Sequence, residues 1–278
     1  MTEADKVPKT QASSKIGFIG FGRMAKAIWA GIHLAQIYTS ENVRIYVRDE
    51  AKRDDISRTF GLTTCFLKEL LSTCDVLLFC IKPQEIRTFL DTMPLVDSQG
   101  KTVISILAGT PLSVFEPYFP KSGLIRAMPN TPARLQEGMT GLAYHVNVSE
   151  QQAHIARVLF GCCGRWVEVA ESQLNSVTAL SGSGPAFMIE IANALAQAGQ
   201  AEGLSFETSL ELVAQTMIGA GKLLQQTPSP KKLIQEVCSP KGTTEAGLEA
   251  LRASNMKDIL HALFKATLER ANELSKPQ

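Results

Sequence analysis

Short apolar runs alternate with glycine-rich or polar segments through the first half of the chain. A strand at residues 16–19 leads into the sequence GFGRMA at 20–25, and small and apolar residues at 25–34 predict the following helix. Further strands are predicted at residues 43–47, 75–81, 102–107, 124–128, 141–146 and 164–169. Because the run at 75–81 is continuously apolar after Asp75, it is typical of a parallel strand covered on both faces. The pattern predicts an α/β domain.

The glycine turn between the first strand and helix carries the candidate chemistry of this half. Gly20 and Gly22 lack side chains, so a pyrophosphate can approach the backbone, and the small Ala25 lets the helix pack near the strand. The amides and positive dipole at the helix start stabilise phosphate charge. Glycine turns are common, but this position favours a Rossmann-type dinucleotide site over a plain tight turn.

The end of the second predicted strand bears on the cofactor. In dinucleotide folds an acidic residue there binds the ribose 2'-hydroxyl, whereas an arginine pairs with a 2'-phosphate. Arg48 comes first here, then Asp49, and Lys52 and Arg53 follow. The order favours NADP over NAD; a solvated helix start and, through Asp49, NAD remain the alternatives.

Two more loops follow strands at the same predicted edge of the sheet. Lys82 and Pro83 follow the strand at 75–81, and Ala108 and Gly109 follow the strand at 102–107. Ligands of open parallel sheets bind beyond the carboxyl ends of the strands. We therefore expect these loops to converge with Gly20 on one crevice, although each alone has the composition of an ordinary turn.

The second half of the chain is predicted to be helical. No strand is indicated after Ser172, and apolar residues recur at helical spacing in residues 207–226 and 256–268. About a hundred residues of such helices seldom bury all their apolar surface alone, so we expect a homodimer, with packing on the first domain as the alternative. The predicted division is a mobile extension at 1–14, a dinucleotide-binding domain at 15–170 and a helical substrate and dimerisation domain at 171–278.

Composition excludes several classes of function. The chain has 278 residues, 45% of them hydrophobic, and a net charge of +1, which argues against nucleic-acid or membrane-surface binding. No apolar run has the length of a membrane span, and residues 1–14 lack the apolar core of a secretion signal. Six cysteines without paired spacing and four scattered histidines predict a cytoplasmic protein without a metal site, and adjacent Cys162 and Cys163 suit a buried pair.

A second informative stretch, VCSPKGTTEAGL, occupies residues 237–248. Pro240 ends the preceding helix, Gly242 allows a sharp turn, and Thr243 or Thr244 is expected to cap the next helix. Hydroxyls and amides at a helix start also suit a carboxylate or a polarised nitrogen. The spacing alone favours a simple capping turn over a ligand site.

Taken together, the motifs GFIGFGRMA, CIKPQ, SILAGT, RAMPNTPA, ALSGSGPAF and VCSPKGTTEAGLEAL resemble the pyrroline-5-carboxylate reductase family. The resemblance runs from residue 15 to the last helix. It implies reduction of 1-pyrroline-5-carboxylate to L-proline, with NADPH as cofactor and NADH as the alternative, in an interlocked dimer that assembles further, for example into a decamer. Since the imine is activated once protonated, such a site needs orientation and a hydrogen bond to nitrogen rather than a metal.

The resemblance also implies roles for individual residues. Thr244 is the expected catalytic residue, because the matching threonine bonds the pyrroline nitrogen. The implied substrate-binding residues are Val237, Gly242, Thr243 and Thr244, and the implied cofactor-binding residues are Gly20, Phe21, Gly22, Arg23, Met24, Arg48, Lys82, Pro83, Ala108 and Asn130. The threonine-bearing turn, from the same chain or a second copy, is expected to close over the nicotinamide.

Three positions depart from the family pattern. Arg23 stands where asparagine or glutamine is usual, Lys241 replaces a common glycine, and Leu67 replaces an asparagine near the adenosine ribose. The rival interpretations are a non-catalytic nucleotide-binding relative, an imine reductase, and a hydroxyacid dehydrogenase. The last is disfavoured because residues 181–186 lack the lysine expected in its interdomain helix.

Overall fold

The computed structural model describes residues 14–275. Apart from Ser14, the extension expected at residues 1–14 lies outside the described residues. The described chain forms two compact units, residues 14–183 with 268–275, and residues 184–267. The first unit contains the sheet and the second is built from helices.

One eight-stranded sheet organises the described part of the first unit. Its strands are β1 Ile16–Ile19, β2 Val43–Tyr46, β3 Thr63–Thr64, β4 Val76–Phe79, β5 Thr102–Ser105, β6 Gly123–Pro129, β7 Gly138–Tyr144 and β8 Gly164–Glu168. They lie in the order β3-β2-β1-β4-β5-β6-β7-β8. The first six are parallel and have the Rossmann order, β7 is antiparallel to β6, and β8 is parallel to β7.

Two features of this sheet differ from the sequence-based expectation. The pattern missed β3, because two residues are too few to show alternation. It also placed the seventh strand at residues 141–146, whereas β7 spans Gly138–Tyr144. The strand begins earlier because Thr140 pairs with Pro129 of β6 and Gly138 pairs with Gly164 of β8.

The helices of the first unit are α1 Arg23–Leu34, α2 Glu50–Phe60, α3 Leu67–Thr73, α4 Ile86–Asp91, α5 Glu150–Gly161 and α6 Leu174–Val177. A π-helical turn, Thr178–Gly182, follows α6. Local chemistry fixes several of the ends. The Asp49 carboxylate accepts a hydrogen bond from the Ala51 amide at 3.1 Å and caps α2. Ser149 and Gln152 form a capping box that starts α5.

The central strands are covered on both faces, as their apolar pattern predicts. Ile16 and Phe18 of β1 face one core cluster, and Ile19 faces the other. In the second cluster the Phe79 ring centroid lies 5.1 Å from that of Phe115 and 5.8 Å from that of Phe119. Each such fully buried side chain contributes about 1.5–3 kcal/mol to folding, so this double core holds the strand ends in place.

The second unit contains α7 Gly184–Ala201, α8 Phe206–Gln226, α9 Pro230–Val237, α10 Thr243–Ala253, and the part of α11 up to Thr267; α11 as a whole spans Met256–Leu274. No strand occurs between residues 172 and 275, as predicted. Many large apolar side chains of these helices are exposed, including Ile189 at 69%, Leu195 at 52% and Ile259 at 61%. This unit therefore leaves extensive apolar surface that its own fold does not cover.

Candidate functional site

The turn after β1 requires glycine at its first position. Gly20 has a φ of +91°, and its amide donates to the Tyr46 carbonyl at 2.9 Å. A Cβ on Gly20 would lie 2.9 Å from the Cys80 carbonyl carbon and oxygen. Both the left-handed backbone and this close approach exclude a side chain, so the backbone of β4's loop supports the turn.

Gly22 has a different reason to be glycine. It is the N-cap of α1 with extended backbone angles, and a Cβ placed on it would meet no atom within 4 Å. The first turn of α1 contains no acidic residue and begins with the exposed Arg23. The open space, the helix amides and the local positive charge together form a cradle for an anion.

The other two predicted residues of this turn support it from inside the protein. The Phe21 side chain is only 7% exposed and makes edge contacts with Phe18 and Phe60, their ring centroids 5.8 and 5.4 Å away. Met24 is partly buried and packs against the same core. Their side chains therefore anchor the turn to the core.

Charged side chains cluster where β2 ends. The Arg48 guanidinium donates to the Glu85 carboxylate, which lies in the loop after β4. Asp49 is engaged by the cap of α2, and Lys52 Nζ lies 3.4 Å from its carboxylate. Arg53 donates to the Val47 carbonyl at 3.1 Å. The Asp49 carboxylate is thus already used by the fold.

A cavity of about 280 Å³ lies beside the loops after β4 and β5. Its lining includes Pro83, Ala108 and Gly109 from these loops, and Leu274 and Ser275 from the end of α11. Of the four residues expected to converge, Ala108 and Gly109 line this cavity, and Pro83 lies beside them. Gly20 and the exposed Lys82 follow neighbouring parallel strands at the same edge but do not line this cavity.

A partly buried ion pair lies beneath the loop after β5. Arg126 of β6 is 6% exposed and lies 3.6 Å from Glu171, whose carboxylate also accepts from the Leu112 amide at 2.7 Å. Burial lowers the pKa of Arg126, and the attraction of Glu171 opposes that shift. Glu171 thus ties β6 to the chain that follows the Ala108 loop, a contact that local sequence patterns do not reveal.

Asn130 joins two of the sequence motifs. Its side-chain nitrogen donates to the carbonyl and the hydroxyl oxygen of Ser181, each at 3.2 Å, and its side-chain oxygen accepts from the Met139 amide at 2.8 Å. The residue is 9% exposed. Asn130 therefore braces the loop after β6 against the π-helical turn.

The second unit holds the remaining predicted residues. Val237, 64% exposed, ends α9, and Gly242 is the N-cap of α10. The expectation that Thr243 or Thr244 caps this helix is wrong, because both lie inside its first turn and the cap carries no side-chain hydrogen bond. The Glu245 carboxylate instead accepts from the Lys241 amide at 2.6 Å.

Lys241 shows how the loop accommodates a departure from the family pattern. Its φ is +60°, the left-handed conformation that glycine adopts most readily. Lysine adopts it at some conformational cost. The amide hydrogen bond to Glu245 stabilises that backbone conformation.

The thiols do not add a reactive site. All six cysteines are free, and burial raises the pKa of Cys65 and Cys74 to about 11 and of Cys162 and Cys163 to about 12. Burial also raises the pKa of Cys80. These five thiols stay protonated at neutral pH and are poor nucleophiles. Among residues 14–275 no cluster of three His, Cys, Asp or Glu side chains could hold a metal, and none of their helices has the length and apolarity to cross a bilayer.

Each half of the chain matches a known protein family. Residues 171–274 match the family model for pyrroline-5-carboxylate reductase dimerisation, and residues 15–109 match that for NADP oxidoreductase, coenzyme F420-dependent. A pyrroline-5-carboxylate reductase from Arabidopsis thaliana is 32% identical over 97% of this chain and 99% of its own length. This chain belongs to the pyrroline-5-carboxylate reductase family.

Solved structures of the family agree with this fold. A pyrroline-5-carboxylate reductase from Coxiella burnetii is 32% identical, covers 95% of this chain and 100% of its own, and has a TM-score of 0.87. A Plasmodium falciparum pyrroline carboxylate reductase with NADP bound is 28% identical, covers 95% of this chain and 98% of its own, and has a TM-score of 0.81. The predicted fold class, a Rossmann-type domain followed by a helical dimerisation domain, is confirmed.

Proposed function

We propose that this protein reduces 1-pyrroline-5-carboxylate to L-proline with NADPH. The family assignment over nearly the whole chain carries the proposal. The glycine turn at the carboxyl edge of a sheet with Rossmann strand order supports the dinucleotide part of this proposal. The proposal assigns dinucleotide binding to residues 15–170. It assigns substrate binding and dimerisation to residues 171–278.

The residues of the turn fit a pyrophosphate. Gly22 leaves room for phosphate oxygens, and the first-turn amides of α1 point at them, with Arg23 adding positive charge. A bound reduced nicotinamide would supply the hydride that the carbon of the imine accepts. Pro83 and Ala108 line the cavity beside these loops, and their small apolar surfaces suit the exclusion of water near the ring.

The charges at the end of β2 support NADPH over NADH. Asp49 is the acidic residue that would bind a 2'-hydroxyl. Its carboxylate already accepts a hydrogen bond from the Ala51 amide and caps α2. Arg48 is paired with Glu85, but its side chain is 67% exposed and its guanidinium has further donors for a 2'-phosphate. Arg48→Ala should therefore weaken NADPH binding much more than NADH binding.

The start of α10 suits the substrate. The Thr243, Thr244 and Glu245 amides belong to the helix's first turn, where backbone donors face outward and the dipole favours a carboxylate. The Lys241 amide is already bonded to Glu245, so it is not the donor. Thr244 is half-buried, and its hydroxyl would hold the pyrroline nitrogen while the proton remains on that nitrogen. With the hydride that a bound reduced cofactor would supply, the carbon would become saturated and the nitrogen would become the amine of proline.

The exposed apolar side chains of the second unit support a homodimer, since its helices match the family's dimerisation model and leave Ile189 and Ile259 uncovered. A larger assembly, such as a pentamer of dimers, is the extension of this proposal. In such an assembly the apolar side chains that are exposed on these helices would be buried between the subunits.

A single assay tests the activity. The purified protein is mixed with pyrroline-5-carboxylate and either NADPH or NADH, and the loss of reduced nicotinamide absorbance is followed while proline is quantified. We expect proline to form in step with cofactor oxidation, faster with NADPH. Nucleotide binding without proline formation would overturn the reductase assignment and favour a non-catalytic relative.

A further inference from the structure

One acidic side chain outside the family motifs occupies the predicted cofactor edge. Glu85 follows Gln84 directly after the CIKPQ motif, and its carboxylate accepts a hydrogen bond from the Arg48 guanidinium. The Glu85 side chain is 34% exposed and that of Arg48 is 67% exposed. The pair is therefore open to solvent and to a ligand.

The strand order places this ion pair beside the glycine turn. In the sheet β1 lies between β2 and β4, with Ile19 paired to Tyr46 on one side and to Phe79 on the other. Arg48 follows β2, Glu85 follows β4, and the Gly20 turn follows β1. The Arg48–Glu85 bridge thus joins the two loops that flank the turn.

Two other basic side chains near the end of β2, those of Lys52 and Arg53, have partners close by in the sequence. Lys52 lies 3.4 Å from Asp49, the cap of α2, and Arg53 lies 3.7 Å from Glu50, so both are paired with acids at the start of their own helix. The Arg48 bridge instead links two separate loops. Arg48 precedes α2, so its ion pair is made outside that helix, unlike the pairs of Lys52 and Arg53.

We propose that Glu85 competes with the 2'-phosphate of NADP(H) for Arg48 and so tunes the selectivity between the phosphorylated and unphosphorylated cofactors. A carboxylate and a phosphate offer the same oxygen acceptors to one guanidinium. NADPH must displace the carboxylate, and the displaced charge then lies near the phosphate. NADH carries a hydroxyl at this position and leaves the ion pair intact. This inference rests on the proposed function, and within it Glu85 is a specificity-determining residue.

The test is Glu85→Gln, which keeps the size of the side chain and removes its charge. Dissociation constants are measured without substrate by nicotinamide fluorescence for NADPH and NADH, and by competition for adenosine 2',5'-bisphosphate and AMP. Since exposed ion pairs contribute about 0.2–1 kcal/mol, we expect NADPH and the bisphosphate to bind about 1.5- to 5-fold more tightly. NADH and AMP should bind as they do to the wild type.

Two controls isolate the competition. Glu150→Gln removes an exposed carboxylate that is paired with the mostly buried Arg157 of α5, and it should leave the affinity for both cofactors unchanged. In an Arg48→Ala background, Glu85→Gln should favour NADPH less than it does with Arg48 present, because the competition for the guanidinium is gone and only the repulsion between the carboxylate and the phosphate is left. Equal tightening of NADPH and NADH, weaker NADPH binding, or an unchanged effect without Arg48 would overturn the inference. Failure of the wild type to bind either nucleotide would overturn the proposed function as well.

Discussion

The side-chain nitrogen of Asn130 lies 3.2 Å from both the carbonyl and the hydroxyl oxygen of Ser181. The two residues are 51 positions apart in the chain, and each belongs to a different motif, RAMPNTPA or ALSGSGPAF. The contact fixes the π-helical turn Thr178–Gly182, a kind of irregularity that is frequent at functional sites. The structure therefore gives this asparagine an internal bracing role, whereas its contact with cofactor stays a proposal.

Asn130→Ala removes the donors to Ser181 and the acceptor for Met139. Because nearby buried polar groups lose their partner, we expect the free energy of unfolding to fall by about 1–3 kcal/mol in urea titrations. Asn147→Ala, at an exposed asparagine, is the control and should be close to neutral. Equal stability of the two variants would show that the Asn130 hydrogen bonds do not stabilise the fold.

Replacing Gly20 or Gly22 by alanine should reduce the stability of the protein by different amounts. Gly20→Ala forces a side chain into a left-handed backbone and against the Cys80 carbonyl, so the strain should cost at least about 1–3 kcal/mol of stability. Gly22→Ala has free space in the folded protein and should cost less than about 1 kcal/mol.

The cofactor separates these variants further. With Gly22→Ala the methyl group occupies the space that we assign to phosphate, so NADPH affinity should fall about tenfold or more. Thermal unfolding and fluorescence titration of the same samples provide the comparison. A Gly22→Ala protein with wild-type affinity would remove this glycine from the cradle.

Thr244→Ala should lower turnover more than it lowers cofactor affinity. A hydrogen bond to a charged imine nitrogen is worth about 1.5–3 kcal/mol, so we expect the rate to fall about 10- to 100-fold. Thr73→Ala removes an ordinary hydroxyl bond to a helix carbonyl on α3 and serves as the control. Unchanged steady-state turnover of Thr244→Ala would exclude this hydroxyl from the mechanism.

A charge on the exposed face of the helical unit should dissociate the proposed dimer. Ile259→Glu places a carboxylate where 61% of an apolar side chain is exposed, and burying that charge in an interface is costly. Light scattering after size exclusion should show a lower mass. Leu95→Glu, at a side chain of the first unit that is 92% exposed, should keep the wild-type mass. The same mass for both variants would place the interface elsewhere.

Sequence patterns predicted the parts of this fold that depend on local chemistry. The apolar runs located β1, β4 and β5, and the glycine turn located α1, although the helix starts at Arg23 rather than residue 25 because Gly22 is its cap. In the helical half, Pro240 follows the end of α9 as predicted, and the apolar spacing matched α8 and α11.

The missed features depend on contacts between distant residues. The Arg48–Glu85 pair spans 37 positions and the Leu112–Glu171 hydrogen bond spans 59, so no local period reports them. The cap of α10 was assigned to threonine because hydroxyls are good caps, but Gly242 takes that position and Glu245 binds the preceding amide. Such contacts can be identified only from the folded structure.

The cap that Asp49 provides for α2 has a consequence for cofactor engineering. Cofactor-switching designs often add an acid for the ribose hydroxyl, and position 49 already holds one that the helix uses. A redesign toward the cheaper, unphosphorylated reductant would therefore start by exchanging Arg48 and leave its neighbour untouched.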